Sequence, residues 1–356
     1  MSEHQHEVAL RVLEQSFGDR VKPSPTRGEG AGAEATLASV MPMSAEEFEL
    51  LAQVAARYSI PLVALGAGTA PDTGAQSRGI TVRFDLMRRT RLPDGDEPWV
   101  EAEPGASWLQ LEDALRVRGM GLAVYPTSAP RATVGGWLAT DGLGVGSFEY
   151  GWLSENVLSA SVVLRGGERR EVAGEELRSL MGSEWRSSVV VEARLRTRRA
   201  EPDMPFAAAF GDADDLADCV ADLARSSVSL WHLAFVNPVM ARARRLEESY
   251  LLFGAYPQER AQEVETGLRD TIERHRGHIL STSQAHRVWG ERFFPVAPSR
   301  PIPGPLAREL TSVEKLREAL RKESVRPEQT ALQGTVARSA EVLLLAIADP
   351  GEGWVR

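Results

Sequence analysis

The residues best suited to chemistry in this sequence are a run of small ones, Gly66-Ala67-Gly68-Thr69-Ala70, placed at the end of the apolar stretch Leu-Val-Ala-Leu at 62–65. Small side chains let consecutive backbone N–H groups converge on an anion, glycine reaches positive φ at little steric cost, and Thr69 adds a hydroxyl donor. The stretch is a candidate phosphate cradle. It is not a P-loop, because no Gly-Lys-Ser/Thr follows to reach terminal phosphates. It also makes a poor dinucleotide-binding turn: Pro71 stands where a third glycine should open a helix, and the chain passes through Gly79 into another strand, 80–86. A second region of glycines and hydroxyls runs from Tyr125 to Gly146 and is too long for a simple turn. In the second half His275 and His278 have the spacing of a metal pair. Gly277 sits between them at a helix end with no third ligand nearby, so a surface feature is expected.

The elements that must position these loops follow from periodicity. Leu10, Leu13 and Phe17 mark a short amphipathic helix ending at Gly18, and 22–35 reads as a linker. A strand at 38–41 meets Ser44-Ala45-Glu46-Glu47, a capping box that opens a helix bearing Phe48, Leu51, Ala55 and Tyr58 on one face. After the first glycine loop come strands at 80–86 and 99–103, then a helix capped by Ser107 and closed by Gly119. Residues 157–165 and 169–173 flank Gly166-Gly167 as a hairpin, and 188–197 forms a closing strand. Beyond residue 200 the texture changes: helices at 214–225 and 257–277, strands at 228–236 and 341–348.

Composition limits the function classes. The chain has 356 residues, 43% hydrophobic and 26% charged, enough for two domains with ordinary cores. A net charge of −9 argues against nucleic acid or an anionic membrane as partner. A single cysteine, Cys219, cannot by itself build a disulfide, a thiolate zinc site or an iron–sulfur cluster. The N-terminus lacks the layout of a signal peptide and no apolar run reaches the length of a membrane span, so a cytoplasmic protein without membrane insertion is expected.

Five motifs in order then carry a resemblance. Leu65-Gly66-Ala67-Gly68-Thr69-Ala70, Glu103-Pro104-Gly105-Ala106, Thr133-Val134-Gly135-Gly136-Trp137-Leu138-Ala139-Thr140-Asp141-Gly142, Tyr150-Gly151, and Gly182-Ser183-Glu184 followed by Val189-Val190-Val191-Glu192-Ala193 resemble the motifs of the vanillyl-alcohol-oxidase / p-cresol methylhydroxylase (PCMH-type) FAD-binding family. The FAD subunits of glycolate oxidase and D-lactate dehydrogenase look most similar. The resemblance covers about 39–197. It implies an α+β fold: a two-subdomain FAD-binding domain at 38–199, preceded by an N-terminal helix and linker at 1–37 and followed by a smaller α+β substrate cap at 200–356.

The resemblance further implies FAD held by Gly66, Ala67, Gly68, Thr69, Ala70, Thr133, Gly135, Gly136, Ala139, Asp141 and Gly142, with Thr127, Ser128, Glu184, Val189 and Val190 nearer the flavin and adenine edges. No histidine lies between His6 and His232, so non-covalent FAD is expected. The implied activity is oxidation of a small 2-hydroxy acid, with an iron–sulfur subunit and a second flavoprotein subunit as possible partners. Such chemistry needs a cation for the carboxylate and a base for the hydroxyl proton, and His232, His286 and Arg292 are the candidates by residue type. Trp185 and Ser188 replace two family glycines and Glu175 an aromatic. A non-catalytic assembly or regulatory subunit is therefore the alternative.

Overall fold

A computed structural model describes residues 3–23, 37–69, 79–95, 97–181, 188–200, 202–294, 306–323 and 330–348. Contacts divide the chain into two compact units that interleave along the sequence. The first comprises Met1–Leu111, Arg131–Asp141 and Val157–Arg196; the second comprises Glu112–Pro130, Gly142–Asn156 and Thr197–Arg356.

The first unit holds two sheets. In the four-stranded one, Val21–Pro23 runs antiparallel to Ala38–Val40, which is parallel to Ile80–Arg83, which is parallel to the edge strand Leu62–Leu65. The helix Ala45–Arg57 buries Phe48, Leu51 and Val54 against Val40, Ile80 and Val82, and Leu13 and Phe17 of the helix Glu3–Phe17 join the same core. Ser44 caps the helix by accepting from the Glu47 N–H, as its sequence predicts. The other half of the expected box differs: the Glu47 carboxylate is drawn into a charge-assisted bidentate pair with Arg20, and its backbone donor there is the Met43 N–H at 2.8 Å rather than that of Ser44. The second sheet orders Thr90–Arg91, Trp99–Ala102, Ser188–Arg199, Val157–Leu164 and Arg169–Ala173, all antiparallel. The expected hairpin is present with a longer connection than two residues, closed by Leu164 N–H donating to the Glu168 carbonyl at 2.8 Å.

The second unit is built on a seven-stranded antiparallel sheet in the order His278–Ile279, Asp203–Phe210, Tyr250–Pro257, His232–Val236, Thr330–Val336, Glu341–Ala348, Leu306–Ser312. One face packs Phe210, Phe235, Leu252 and Leu344 against the helices Ala213–Arg225, Ala261–Arg274 and Leu316–Glu323. The opposite face, bearing Ala234, Val236, Leu251 and Phe253, is met by the short helix Pro238–Ala243 and the helix Thr282–Gly290. Periodicity had suggested one helix from 257 to 277. Instead Pro257 ends a strand and the regular helix begins at Ala261, where the apolar face of Val264, Leu268 and Ile272 starts. Among the described residues no helix is long and apolar enough to cross a membrane.

Candidate functional site

The expected cofactor residues fall in both units. Gly66 to Thr69, Thr133, Gly135, Gly136, Ala139, Asp141, Val189 and Val190 belong to the first; Thr127, Ser128 and Gly142 belong to the second. Ala70, Glu184 and Trp185 lie outside the described residues.

In the first unit three of the sequence motifs meet. The loop leaving Leu62–Leu65 approaches the short helix Val134–Leu138 so closely that a Cβ on Gly66 would lie 3.0 Å from Thr133 Oγ1 and 3.1 Å from Gly136 Cα. Thr133 caps that helix by accepting from the Gly136 N–H at 3.3 Å. The Glu103-Pro104-Gly105-Ala106 turn holds it from the other side: Val134 N–H donates to the Ala106 carbonyl at 2.8 Å and Gly135 N–H to the Pro104 carbonyl at 2.9 Å. Gly135 has no room for a side chain, since a Cβ there would stand 2.6 Å from Pro104 Cβ. Trp108 and Trp137 brace the assembly edge to face, 5.1 Å between ring centroids, and Trp108 Nε1 donates to the Thr133 carbonyl at 3.0 Å.

What the cradle leaves open is a row of donors. Among the described residues the backbone N–H groups of Ala67, Gly68 and Thr69 donate to no acceptor, and Gly68 takes a left-handed φ of 66°. Gly66, Gly68 and Leu65 are exposed. Free amide donors on side-chain-poor backbone fit an anionic group such as a pyrophosphate. Asp141 ends the region at φ 47°, a conformation that aspartate tolerates better than most residues, with its N–H on the Trp137 carbonyl at 2.9 Å. Val190 is buried and Val189 half-buried on the closing strand, where the Ser188 hydroxyl is buried with no hydrogen-bond partner among the described residues.

In the second unit Thr127 is tied to the segment after the helix Thr282–Gly290, its carbonyl accepting from the Phe294 N–H at 2.8 Å. Two residues away Tyr125 is buried, and its hydroxyl accepts from Arg292 Nε and Nη2, each at 3.3 Å. The Arg292 guanidinium lies 4.6 Å from the Trp289 ring centroid and 4.3 Å from that of Phe293, and donates through Nη1 to the Trp289 carbonyl at 3.0 Å. Among the described residues no carboxylate pairs with it.

His232 stands on the sheet beside this group, its ring 5.7 Å from that of Trp289 and 6.3 Å from that of Phe253. It is fully buried, and neither ring nitrogen has a hydrogen-bond partner among the described residues. Burial, with Arg292 nearby, pushes its pKa down to about 3. His286 is exposed on the helix Thr282–Gly290 and does not join the cluster. His275 pairs with Asp222 at 2.8 Å. Of the candidates given by residue type, Arg292 and His232 both lie beside Trp289 and His286 does not. Tyr125, Trp289 and Phe293 were not among those candidates, and their only signal was that Tyr125 lies in the second glycine- and hydroxyl-rich region.

The FAD binding domain family matches residues 36–173, the stretch that carries the cradle. This chain has an FAD-binding domain. Its sequence is 29% identical over 216 residues to the mitochondrial cytochrome D-lactate dehydrogenase of Arabidopsis thaliana, a match covering 57% of this chain and 38% of that protein. It is 24% identical to the glycolate oxidase subunit GlcD of Bacillus subtilis, covering 56% and 45%. The matches therefore take in less than half the length of these relatives. The fold resembles that of p-cresol methylhydroxylase, with a TM-score of 0.76 at 14% identity, covering 98% of this chain and 84% of the other. The fold is thus of the PCMH type and the cofactor is FAD.

Proposed function

We propose that the chain is the FAD-binding subunit of an oxidoreductase that converts a small 2-hydroxy acid of the glycolate or lactate kind to the 2-oxo acid. In this reading 38–199 holds the cofactor non-covalently and 200–356 serves as a reduced cap. When bound, the flavin supplies the acceptor for a hydride from the substrate's α-carbon. One observation carries the reading. Arg292 is a cation lying over two aromatic rings, Trp289 and Phe293, and among the described residues its hydrogen-bond partners are neutral, the Tyr125 hydroxyl and the Trp289 carbonyl. Such a guanidinium can take a carboxylate bidentately at little reorganisation cost.

His232 is given no proton-transfer role, since a group near 3 is a poor acceptor at neutral pH. His286 is left to solvent. Non-covalent attachment is supported by Cys219, whose thiol is buried among helices and pushed up to about 12. Electrons would leave through iron–sulfur and second flavoprotein subunits, in keeping with relatives that include a glycolate oxidase subunit. The alternative, a non-catalytic assembly subunit, draws on Trp185 and Ser188 at two positions where the resembling family has glycine.

The test is the visible spectrum of the purified chain followed by anaerobic addition of glycolate or D-lactate. Bound flavin that bleaches is the expected result. The Arg292→Gln variant should keep the flavin and lose about 10- to 100-fold in hydroxy-acid affinity, the scale of a charge-assisted hydrogen bond. Colourless protein that takes up no added FAD would leave the assembly reading standing.

A further inference from the structure

The strand Thr330–Val336 alternates, sending Leu332 and Val336 to the helical core and Gln333 to the opposite face. Gln333 is fully buried between Val236 and Leu345 on the neighbouring strands. An amide among aliphatic neighbours is costly unless both its ends are bonded. Both are. Oε1 accepts from Arg244 Nη2 at 2.6 Å, and Nε2 donates to the Arg292 carbonyl at 3.3 Å. The orientation is fixed by the network, because the flipped amide would set a donor against a guanidinium.

Arg244, at the end of the helix Pro238–Ala243, is 4% exposed, and its Nη2 also donates to the Phe293 carbonyl at 3.0 Å. Two consecutive carbonyls, 292 and 293, are thus gripped from beneath by a buried polar pair. We propose that Gln333 and Arg244 are positioning residues that set the Arg292 side chain for a substrate carboxylate. The inference rests on the role given above to Arg292.

The energetics favour a positioning role over simple closure of the segment. Among the described residues Arg244 has no carboxylate partner, and its Nε is buried without an acceptor. Burial pushes its pKa down to about 9, with the Glu291 charge only partly offsetting this. An apolar side chain would hold the segment at less cost than an uncompensated buried cation. What an apolar contact cannot do is fix the rotation of the 292 and 293 peptide planes. The 292 plane flanks the Arg292 Cα and, with the 293 plane, the Phe293 Cα, so the pair governs how the guanidinium and the Phe293 ring beneath it leave the backbone.

The experiment is calorimetric titration with oxalate, a carboxylate ligand with no hydrogen to give, on the FAD-loaded and FAD-free full chain, alongside the FAD dissociation constant. Gln333→Leu should weaken oxalate binding about tenfold with FAD affinity unchanged. With hydroxy acid as substrate, KM should rise while kcat changes less than about threefold. Gln333→Glu keeps an acceptor for Arg244 and gives it a counter-charge but removes the donor to the 292 carbonyl. It should show the same loss, and it carries the test if the leucine variant does not fold. Arg244→Lys, which retains a cationic donor, should keep most of the wild-type affinity. Unchanged oxalate binding in the folded Gln333 variants overturns the proposal while leaving Arg292 in place. Unchanged binding in Arg292→Gln overturns both.

Discussion

The cradle of the first unit and the aromatic–arginine cluster of the second solve the problem of holding an anion in opposite ways. The cradle is made of backbone: N–H groups on Ala67, Gly68 and Thr69 that have no acceptor among the described residues, and glycines at 66, 135 and 136 that let two loops and a turn touch. The cluster is made of side chains: a guanidinium on two rings, a buried tyrosine hydroxyl, and a buried Gln–Arg pair below. Where its segments touch, at Gly66, Gly135 and Gly136, the backbone site leaves little or no room for an added atom. A side-chain site tolerates changes of shape but not of charge.

The largest effect expected from this contrast is at Gly135. A valine there must place its Cβ where Pro104 Cβ already stands 2.6 Å away, and the shift breaks the bond from Gly135 N–H to the Pro104 carbonyl. Overpacking of this kind costs about 1–3 kcal/mol, and a lost hydrogen bond adds about 1. The Gly135→Val variant should therefore unfold at lower urea and be purified without flavin. Retention of flavin at wild-type affinity would mean that the 133–136 turn does not shape the cofactor site.

The same contrast explains what could be read from sequence. The strings that form the cradle were legible because backbone geometry constrains residue type locally: the glycines, the 133–142 motif and the Glu103-Pro104-Gly105-Ala106 turn are short strings in order, whereas the capping role of Thr133 came only with the fold. The Ser44 cap was legible for the same reason, whereas the diversion of Glu47 to Arg20 was not, since it depends on a residue 27 positions away. In the second unit, strands such as Asp203–Phe210 and Tyr250–Pro257 are apolar on both faces because helices cover both sides, so no alternation marks them. The partners of Arg292 come from residues 125, 289, 293 and 333, and nothing in any one of those stretches names the others.

A medium effect is expected from His232, and it tests whether the cluster works through charge. Its pKa, ordinarily 6.5, falls to about 3 in the folded chain, chiefly because burial disfavours the cation. Between those values the unfolded chain binds a proton that the folded chain refuses. Stability must therefore fall as pH drops from about 6.5 toward 3, by up to roughly 1.4 kcal/mol per pH unit. Urea midpoints of wild type and His232→Phe at pH 7, 5.5 and 4.5 measure this. The variant should gain relative stability as the pH is lowered, and it should keep hydroxy-acid binding. A wild-type slope no steeper than the variant's would mean that His232 is solvated in solution.

The smallest effect is expected where arginines do have acidic partners, and it sharpens what is distinctive about Arg244 and Arg292. On the other face of the same sheet Arg317 meets Asp218 and Arg321 meets Asp214, pairs that join two helices at the solvent boundary. Each of these guanidiniums is exposed and already matched to a carboxylate, so water replaces whatever is removed and salt screens what remains. Arg317→Ala should leave oxalate affinity, FAD affinity and the urea midpoint unchanged within measurement error. If removing this matched, exposed arginine weakened oxalate binding as much as Arg292→Gln does, the anion would be responding to overall charge, and the lack of a carboxylate partner for Arg292 among the described residues would lose its meaning.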